Sequence, residues 1–146
     1  MAERVVNIYV DGSYNPITNI IGCAVVLFIE AGKRPYRIAF RKKLKSQQEY
    51  GSNIAEMIAV KTAIKAACSL RITQINIYHD WDGIEIFSHR ENIKKRHNPC
   101  PSYTMYADYL EKARKDVRIS FIKVKAHAEN ELNCLVDKMA RAGRTI

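Results

Sequence analysis

Three acidic residues occupy positions from which they could form a metal site. Glu56 belongs to a helical run at 53–70 and projects away from the polar stripe of that run, at about 100° per residue. Asp11 and Asp80 each follow a short hydrophobic run typical of a β-strand. A carboxylate that faces a protein core is costly unless its charge is compensated. Three converging carboxylates therefore indicate a divalent cation, and a cation site in a basic protein indicates chemistry on phosphates.

Each of these acids also has a simpler structural explanation. Asp11 precedes turn-forming residues and could itself be a turn residue. Asn53 could be the N-cap of the helix with Glu56 as its capping-box partner, which explains an acid in the first turn but not its direction toward the core. Asp80 could cap a short helix that follows it. For Glu56 the cap and the metal site are not mutually exclusive.

Two residues from the C-terminal part of the chain could join the site. Asp137 lies four residues before Arg141 on a predicted helix, where an exposed ion pair is the default interpretation. His127 lies in the polar segment 123–130, just after a predicted strand. A histidine in a loop is usually a solvated surface residue, but beside a metal site it can shuttle protons.

A zinc site is a weaker alternative. Four widely spaced cysteines form no CxxC pair: Cys23, Cys68, Cys100 and Cys134. This usage is typical of reduced, mostly structural thiols in a cytosolic protein. A set made of His89, His97 and Cys100 has irregular spacing and lacks a fourth ligand, so we do not favour it.

The composition is typical of one globular domain with a polyanionic partner. The 146 residues suffice for a single domain, 1–146, and 47% of them are hydrophobic. Twenty-four Lys and Arg against 15 Asp and Glu give a formal net charge of +9, which favours nucleic acid as a partner. No apolar run approaches the ~20 residues of a membrane span, and the N-terminus does not resemble a signal peptide. We therefore expect a cytoplasmic protein with no membrane partner.

The hydrophobic pattern predicts an α/β domain with the element order βββαβααβα. The predicted strands are 5–10, 20–29, 34–43, 74–79 and 118–124. The predicted helices are 53–70, 82–88, 102–115 and 131–142. The first three strands form an antiparallel meander with a hairpin loop at 31–33, and the later strand–helix–strand alternation implies parallel pairing, so the sheet is expected to be mixed. Functional crevices in such sheets form where strands end and their connections diverge, which is where the acids Asp11 and Asp80 are expected.

Four sequence motifs, in the same order and over nearly the whole chain, resemble those of type 1 ribonuclease H. The opening strand with its Asp-Gly-Ser signature is IYVDGS at 8–13, and the helix-borne glutamate lies in NIAEM at 53–57. The aspartate that ends the central strand lies in IYHD at 77–80. The histidine loop and the final aspartate of the family resemble KAHAENELNCLVD at 125–137.

The resemblance implies an RNase H-like fold, with a five-stranded mixed sheet in the order 3-2-1-4-5 flanked by helices. It also implies an endonuclease that hydrolyses the RNA strand of RNA·DNA hybrids with two Mg²⁺ ions, for which Mn²⁺ is a plausible substitute. The implied metal ligands are Asp11, Glu56, Asp80 and Asp137. His127 would assist proton transfer or product departure.

Seven residues near these motifs are candidate substrate contacts. They are Gly12, Ser13, Asn15, Ser52, Asn53, Asp82 and Asn133. The region between the two middle helices is too short for the basic protrusion of some family members, and the basic run 94–96 could replace part of it. We expect a monomer, with a helper domain or protein as a further source of affinity for the hybrid.

Two other functions stay open at this point. The first is a catalytically silent RNase H-like module that binds nucleic acid, against which the four intact carboxylates argue. The second is another nuclease of the same fold, such as a resolvase or integrase-like enzyme, which would act on branched or duplex DNA.

Overall fold

The described part of the chain forms five strands and four α-helices. The computed structural model describes residues 5–29, 34–45, 50–97, 100–124 and 131–144, without the side chains of 96, 131–134 and 143–144. The strands are β1 Val5–Asn15, β2 Ile20–Phe28, β3 Tyr36–Lys43, β4 Gln74–His79 and β5 Arg118–Lys123. The helices are α1 Gly51–Ser69, α2 Gly83–Ile86, α3 Pro101–Ala113 and α4 Glu131–Arg144. Two 3₁₀ turns, Arg90–Asn92 and Lys95–His97, occupy the predicted loop between α2 and α3.

The strands form one mixed sheet in the order β3-β2-β1-β4-β5. β1 pairs antiparallel with β2, and β2 with β3, whereas β4 is parallel to both β1 and β5. The predicted fold class and strand order are therefore confirmed. The predicted hairpin loop at 31–33 lies outside the described residues.

Helices cover both faces of the sheet. One core cluster holds the inward residues of α1 and α3 against Val6, Ile8 and Val10 of β1. A second, smaller cluster packs Val136 and Ala140 of α4 against the opposite face. β2 is buried along nearly its whole length, as expected for a continuous apolar strand that is covered on both sides.

The predicted end of β1 is wrong. The strand does not stop at Asp11; it pairs with β2 as far as Asn15 opposite Ile20, and the turn lies at 16–19 instead. The turn residue Asn19 has a positive φ of 59° and its amide donates to the Asn15 carbonyl at 2.9 Å. Asp11 is thus a strand residue opposite Ala24, which removes its explanation as a turn former.

The predicted start of α1 is also wrong. The helix begins at Gly51 after Tyr50, which makes no side-chain cap hydrogen bond, so Asn53 is inside the helix and is not its N-cap. A Cβ at Gly51 would collide with the ring of Tyr14, so the absence of a side chain lets the first turn pack against β1. The capping-box explanation of Glu56 is therefore contradicted.

In the described part of the chain, no helix is both long enough and apolar enough to cross a bilayer.

Candidate metal centre

Three carboxylates from three different elements converge beside the central strands. Asp11 lies in β1, Glu56 in α1 and Asp80 directly after β4, and one oxygen of each lies within 4.8 Å of the others. Asp11 and Glu56 are 3% and 8% exposed, and Asp80 is half-buried. The parallel pairing of β1 with β4 brings the first and third acids to neighbouring strands, and α1 supplies the second.

Gly12 determines how closely α1 approaches β1. A Cβ at this position would collide with the Ala55 carbonyl group and the Glu56 backbone nitrogen. On the neighbouring strand, the Cys23 thiol donates to the Ala55 carbonyl at 3.4 Å. The strand and helix backbones are therefore in direct contact at the second turn of α1, and this contact holds Glu56 beside Asp11.

The cluster holds two buried carboxylate oxygens without a hydrogen-bond donor among the described residues. These atoms are Asp11 Oδ2 and Glu56 Oε2. The other oxygen of Asp11, Oδ1, accepts a hydrogen bond from the Gly12 amide at 2.9 Å. Two neighbouring buried carboxylates with unpaired oxygens need either a proton or a cation.

Burial favours the neutral forms of both acids when no cation is bound. Burial, opposed by the side-chain interaction with Glu56 and assisted by the charges of Asp80 and Asp137, raises the pKa of Asp11 to about 7. Burial, followed by the interaction with Asp11, raises the pKa of Glu56 well above its ordinary value. Hard carboxylate oxygens at this spacing, with buried lone pairs to satisfy, fit Mg²⁺ or Mn²⁺ and not zinc.

Asp137 reaches the cluster from α4. Its side chain lies close enough to Asp11 to contribute to the raised pKa of that residue. Asp137 is 27% exposed and also forms the expected ion pair with Arg141, at 3.1 Å. The side-chain alternation of β1 places Asp11 on the same face as Tyr9, which is the face that α4 covers. The ion pair and the contact with Asp11 coexist.

The structure does not describe two predicted site residues at the side-chain level. His127 lies in the segment 125–130, outside the described residues. Asn133 lies in α4, but its side chain is outside the described part as well.

The remaining candidate substrate contacts have different environments. Gly12 and Ser13 lie in β1 beside the cluster, and Ser52 is exposed in the first turn of α1. Asn53 Nδ2 donates to Tyr103 Oη at 2.9 Å, which ties α1 to α3. Of these candidates, only Ser52 combines an exposed side chain with a position at the start of α1.

Two candidates are engaged in local structure. The Asn15 side chain accepts a hydrogen bond from the Ile17 amide at 2.9 Å within the β1–β2 turn. Asp82, which was expected near the substrate or behind the metal ligands, pairs with Lys123 of β5 at 2.9 Å. Neither side chain belongs to the carboxylate cluster.

His79 is a residue that the sequence interpretation missed. It directly precedes Asp80, is 2% exposed, and places Nδ1 3.0 Å from the Trp81 carbonyl oxygen, to which it can donate. Burial lowers the pKa of its imidazole, so the ring is neutral at pH 7. The imidazole of His79 thus contacts the backbone of Trp81, and Asp80 lies between these two residues. The alternation of Ile75, Ile77 and His79 along β4 is the signal that would have found it.

The alternative zinc set is not assembled. Among the described residues, one group of three metal-type ligands lies close together, and it is the carboxylate cluster. His97 instead packs among aromatic rings, 4.9 Å from Phe87 and 5.0 Å from Tyr103 between centroids. Its Nδ1 accepts a hydrogen bond from the Lys94 amide at 3.1 Å.

The fold and this cluster define an α/β protein with three converging carboxylates beside its central strands. The RNase H family model matches residues 3–145, so the chain belongs to the RNase H family. Members of this family are nucleases, and the protein is an enzyme of that kind.

Curated relatives carry the same family name. The chain is 27% identical over 150 residues to a ribonuclease H of Caldanaerobacter subterraneus subsp. tengcongensis, covering 94% of this chain and 90% of the relative. It is 28% identical over 148 residues to a ribonuclease H of Thermoanaerobacter pseudethanolicus, covering 93% of this chain and 87% of the relative.

Solved structures show the same fold at lower identity. RNase H1 from Halobacterium salinarum superposes with a TM-score of 0.75 at 16% identity, covering 96% of this chain and 97% of that one. LC11-RNase H1, solved in complex with an RNA/DNA hybrid, superposes with a TM-score of 0.67 at 14% identity, covering 94% of each chain.

Proposed function

We propose that this protein is an endoribonuclease that hydrolyses the RNA strand of RNA·DNA hybrids with the help of two Mg²⁺ ions. The observation that carries the proposal is the buried cluster of Asp11, Glu56 and Asp80, in which two carboxylate oxygens lack a donor. Membership of the RNase H family and the hybrid complex of LC11-RNase H1 support the choice of substrate. We further propose that residues 1–146 act as one domain.

The four acids would hold the ions. Asp11, Glu56 and Asp80 supply oxygen ligands from three elements, and Asp137 adds a fourth carboxylate from α4. Bound at such a site, two Mg²⁺ or Mn²⁺ ions supply an activated water and neutralise the leaving oxygen. The Gly12 amide orients Asp11 through its hydrogen bond. We assign proton transfer or product departure to His127 on the family resemblance alone.

We propose that the basic run 94–96 contacts the substrate backbone. Lys94 and Lys95 are exposed, and His97, which follows the basic run, is buried in an aromatic cluster with Tyr50 and Tyr103. Because Tyr50 directly precedes α1, this packing anchors the basic run beside the start of the helix that carries Glu56. Exposed lysines at such a place attract phosphates. Ser52, Ser13 and the Gly12 backbone would lie nearer the RNA strand.

The proposed protein is a monomer in the cytoplasm. Cys23, Cys68 and Cys100 are free thiols in the described part of the chain, as expected in a reducing compartment. A helper domain or protein would add affinity for the hybrid.

The decisive experiment is a cleavage assay with a hybrid labelled on the RNA strand, in Mg²⁺ and separately in Mn²⁺. We expect internal cleavage of the RNA strand, and no cleavage by the Asp11→Asn variant. Duplex DNA, duplex RNA and branched DNA serve as comparison substrates. Hybrid binding without turnover in either metal would favour a silent binding module, and preferred cleavage of branched DNA would favour a resolvase-like enzyme.

A further inference from the structure

A cavity lies apart from the carboxylate cluster, between α1, α3 and the end of β3. Its volume is about 310 Å³ and three lysines line it, Lys42 from β3 and Lys61 and Lys65 from α1. None of the four acids of the metal centre contributes to its lining, and no other aspartate or glutamate does so among the described residues. We call it the lysine cavity.

No negative partner of the three lysines is found in the described part of the chain. Within the described residues none of them forms an ion pair. Lys61 is partly buried, and burial together with the charges of Lys42 and Lys65 lowers the pKa of its ammonium group. Three like charges around one cavity repel one another, so the cavity attracts an anion.

The α3 side of the lysine cavity is apolar and aromatic. The Lys61 ammonium lies 5.5 Å from the centroid of the Tyr109 ring. Met105 lines the same side and is 59% exposed, so its side chain is accessible to a ligand. A flat ring that is attached to a negative group would contact both Tyr109 and the lysines. The volume is within the range of small-molecule sites.

We propose that the lysine cavity binds a nucleoside monophosphate unit, with its phosphate on the lysines and its base against Tyr109 and Met105. The unit is supplied either by a free nucleotide or by the unpaired end of a nucleic-acid strand, because both carry the same chemistry. The cavity uses none of the metal ligands, so binding needs no divalent cation and does not depend on strand hydrolysis.

Calorimetric titration of the full chain in EDTA with AMP, adenosine and inorganic phosphate tests the proposal. We expect AMP to bind more tightly than either fragment, because only AMP engages both the lysines and the aromatic wall. Lys61→Met should weaken AMP binding about tenfold, the usual loss for one charge-assisted contact. Tyr109→Leu should weaken AMP while leaving phosphate binding unchanged.

Two further variants make the outcome specific. Lys115→Met removes an exposed charge just beyond α3, outside the cavity, and should leave AMP binding unchanged. Lys65→Met removes an exposed lysine of the cavity and provides the same test if Lys61→Met does not fold. The proposal is overturned if AMP does not bind, if it binds no more tightly than phosphate, or if Lys115→Met weakens it as much as the cavity variants do.

Competition identifies the source of the nucleotide. Displacement of AMP by a short 5′-phosphorylated single strand assigns the cavity to a strand end, and AMP binding without such displacement assigns it to the free nucleotide. Both results support the site. A failure of nucleotide binding in the lysine cavity is distinguishable from a failure of the proposed hydrolysis, because cleavage of the hybrid is measured separately and in the presence of metal.

Discussion

Asp11 and Glu56 each bury a carboxylate oxygen, Oδ2 and Oε2, that meets no hydrogen-bond donor in the described part of the chain, and the two carboxylates approach each other within 4.8 Å. A protein that holds two carboxylates in this way loses stability when both are ionised, unless a cation lies between them. The arrangement therefore links three properties that can be measured separately: catalysis, metal binding and metal-free stability. The first two predictions use this link.

Glu56→Gln should abolish cleavage and stabilise the metal-free protein. The amide is neutral at every pH, so the folded state no longer bears the cost of protonating or burying the Glu56 carboxylate, and it supplies a donor to Asp11. The free energy of unfolding in EDTA should therefore rise by roughly 1–3 kcal/mol. Urea denaturation in EDTA and in Mg²⁺ measures the free energy of unfolding of the metal-free and the metal-bound protein. The increase in this free energy on adding Mg²⁺ should be smaller in the variant than in the unchanged protein. Glu85→Gln, at an exposed acid of α2, is the matched control and should change neither property. A large loss of metal-free stability in Glu56→Gln would contradict this account.

Metal-free stability should fall as the pH rises from about 4 to 7. The pKa of Asp11 is raised from 3.8 to about 7 by burial first, so in this window the folded state holds a proton that the unfolded state has released. Its contribution is complete below pH 4 and lost above pH 7, with an upper bound of about 4 kcal/mol. Chemical denaturation in EDTA between pH 4 and pH 8 measures the slope. Asp11→Asn should reduce the slope of the free energy of unfolding against pH. An unchanged slope would show that other titrating groups cause it.

Gly12→Ala should reduce both stability and activity. The added methyl group would collide with the Ala55 carbonyl and force α1 away from β1, at a cost of roughly 1–3 kcal/mol or more. The same shift would separate Glu56 from Asp11, so cleavage should fall even where the variant is fully folded. Denaturation in Mg²⁺ measures the loss of stability, and single-turnover cleavage measures the loss of activity. Ser13→Ala, one residue along the strand, is the control for stability, and equal stability of the two variants would refute the close approach.

The hydrogen bond between Asn53 and Tyr103 should stabilise the fold by about 1 kcal/mol. Asn53→Ala, Tyr103→Phe and the double variant form a double-mutant cycle, in which the coupling energy is read from urea denaturation. If Asn53 only ties α1 to α3, both single variants should affect cleavage of the hybrid equally. A rise in KM restricted to Asn53→Ala would show that this residue also contacts substrate. A coupling energy of zero would show that the hydrogen bond between Asn53 and Tyr103 does not stabilise the fold.

Replacing Lys94 and Lys95 by alanine should weaken binding of the hybrid more than it changes the rate of cleavage at saturation. Loss of two phosphate contacts should lower the slope of log affinity against log salt by roughly one unit for each contact. Fluorescence anisotropy with the inactive Asp11→Asn background measures the slope without turnover. Lys112→Ala combined with Lys115→Ala removes the same charge from an exposed region of α3 and its end, and serves as control. If both double variants weaken hybrid binding equally, the net charge of the protein, and not the position of Lys94 and Lys95, accounts for the binding.

Periodicity was sufficient for much of the fold. The polar stripe of α1 placed Glu56 opposite Lys65 and Ser69, and the structure has the acid buried and both polar residues exposed. The continuous apolar run of β2 predicted a strand that is covered on both faces, as observed. These predictions succeeded because a helix or strand repeats at a fixed interval, so neighbouring residues report which side is buried.

Long-range contacts decided the features on which local patterns failed. β1 continues past Asp11 because β2 pairs with it as far as Asn15, although Gly12 and Ser13 are locally turn formers. α1 starts at Gly51 because its first turn packs on Tyr14. In both places the partner is distant along the chain, and its contribution exceeds the local preference.

The sequence by itself determined which residues are the candidates for the chemistry: the carboxylates, their order and the elements that bear them. Only the tertiary structure decided that Asp11, Glu56 and Asp80 meet within 4.8 Å, that His79 is buried behind Asp80, and that three lysines surround a cavity beside Tyr109. The reason is that residue type and periodicity are local properties, whereas burial and pKa depend on atoms brought together from separate elements.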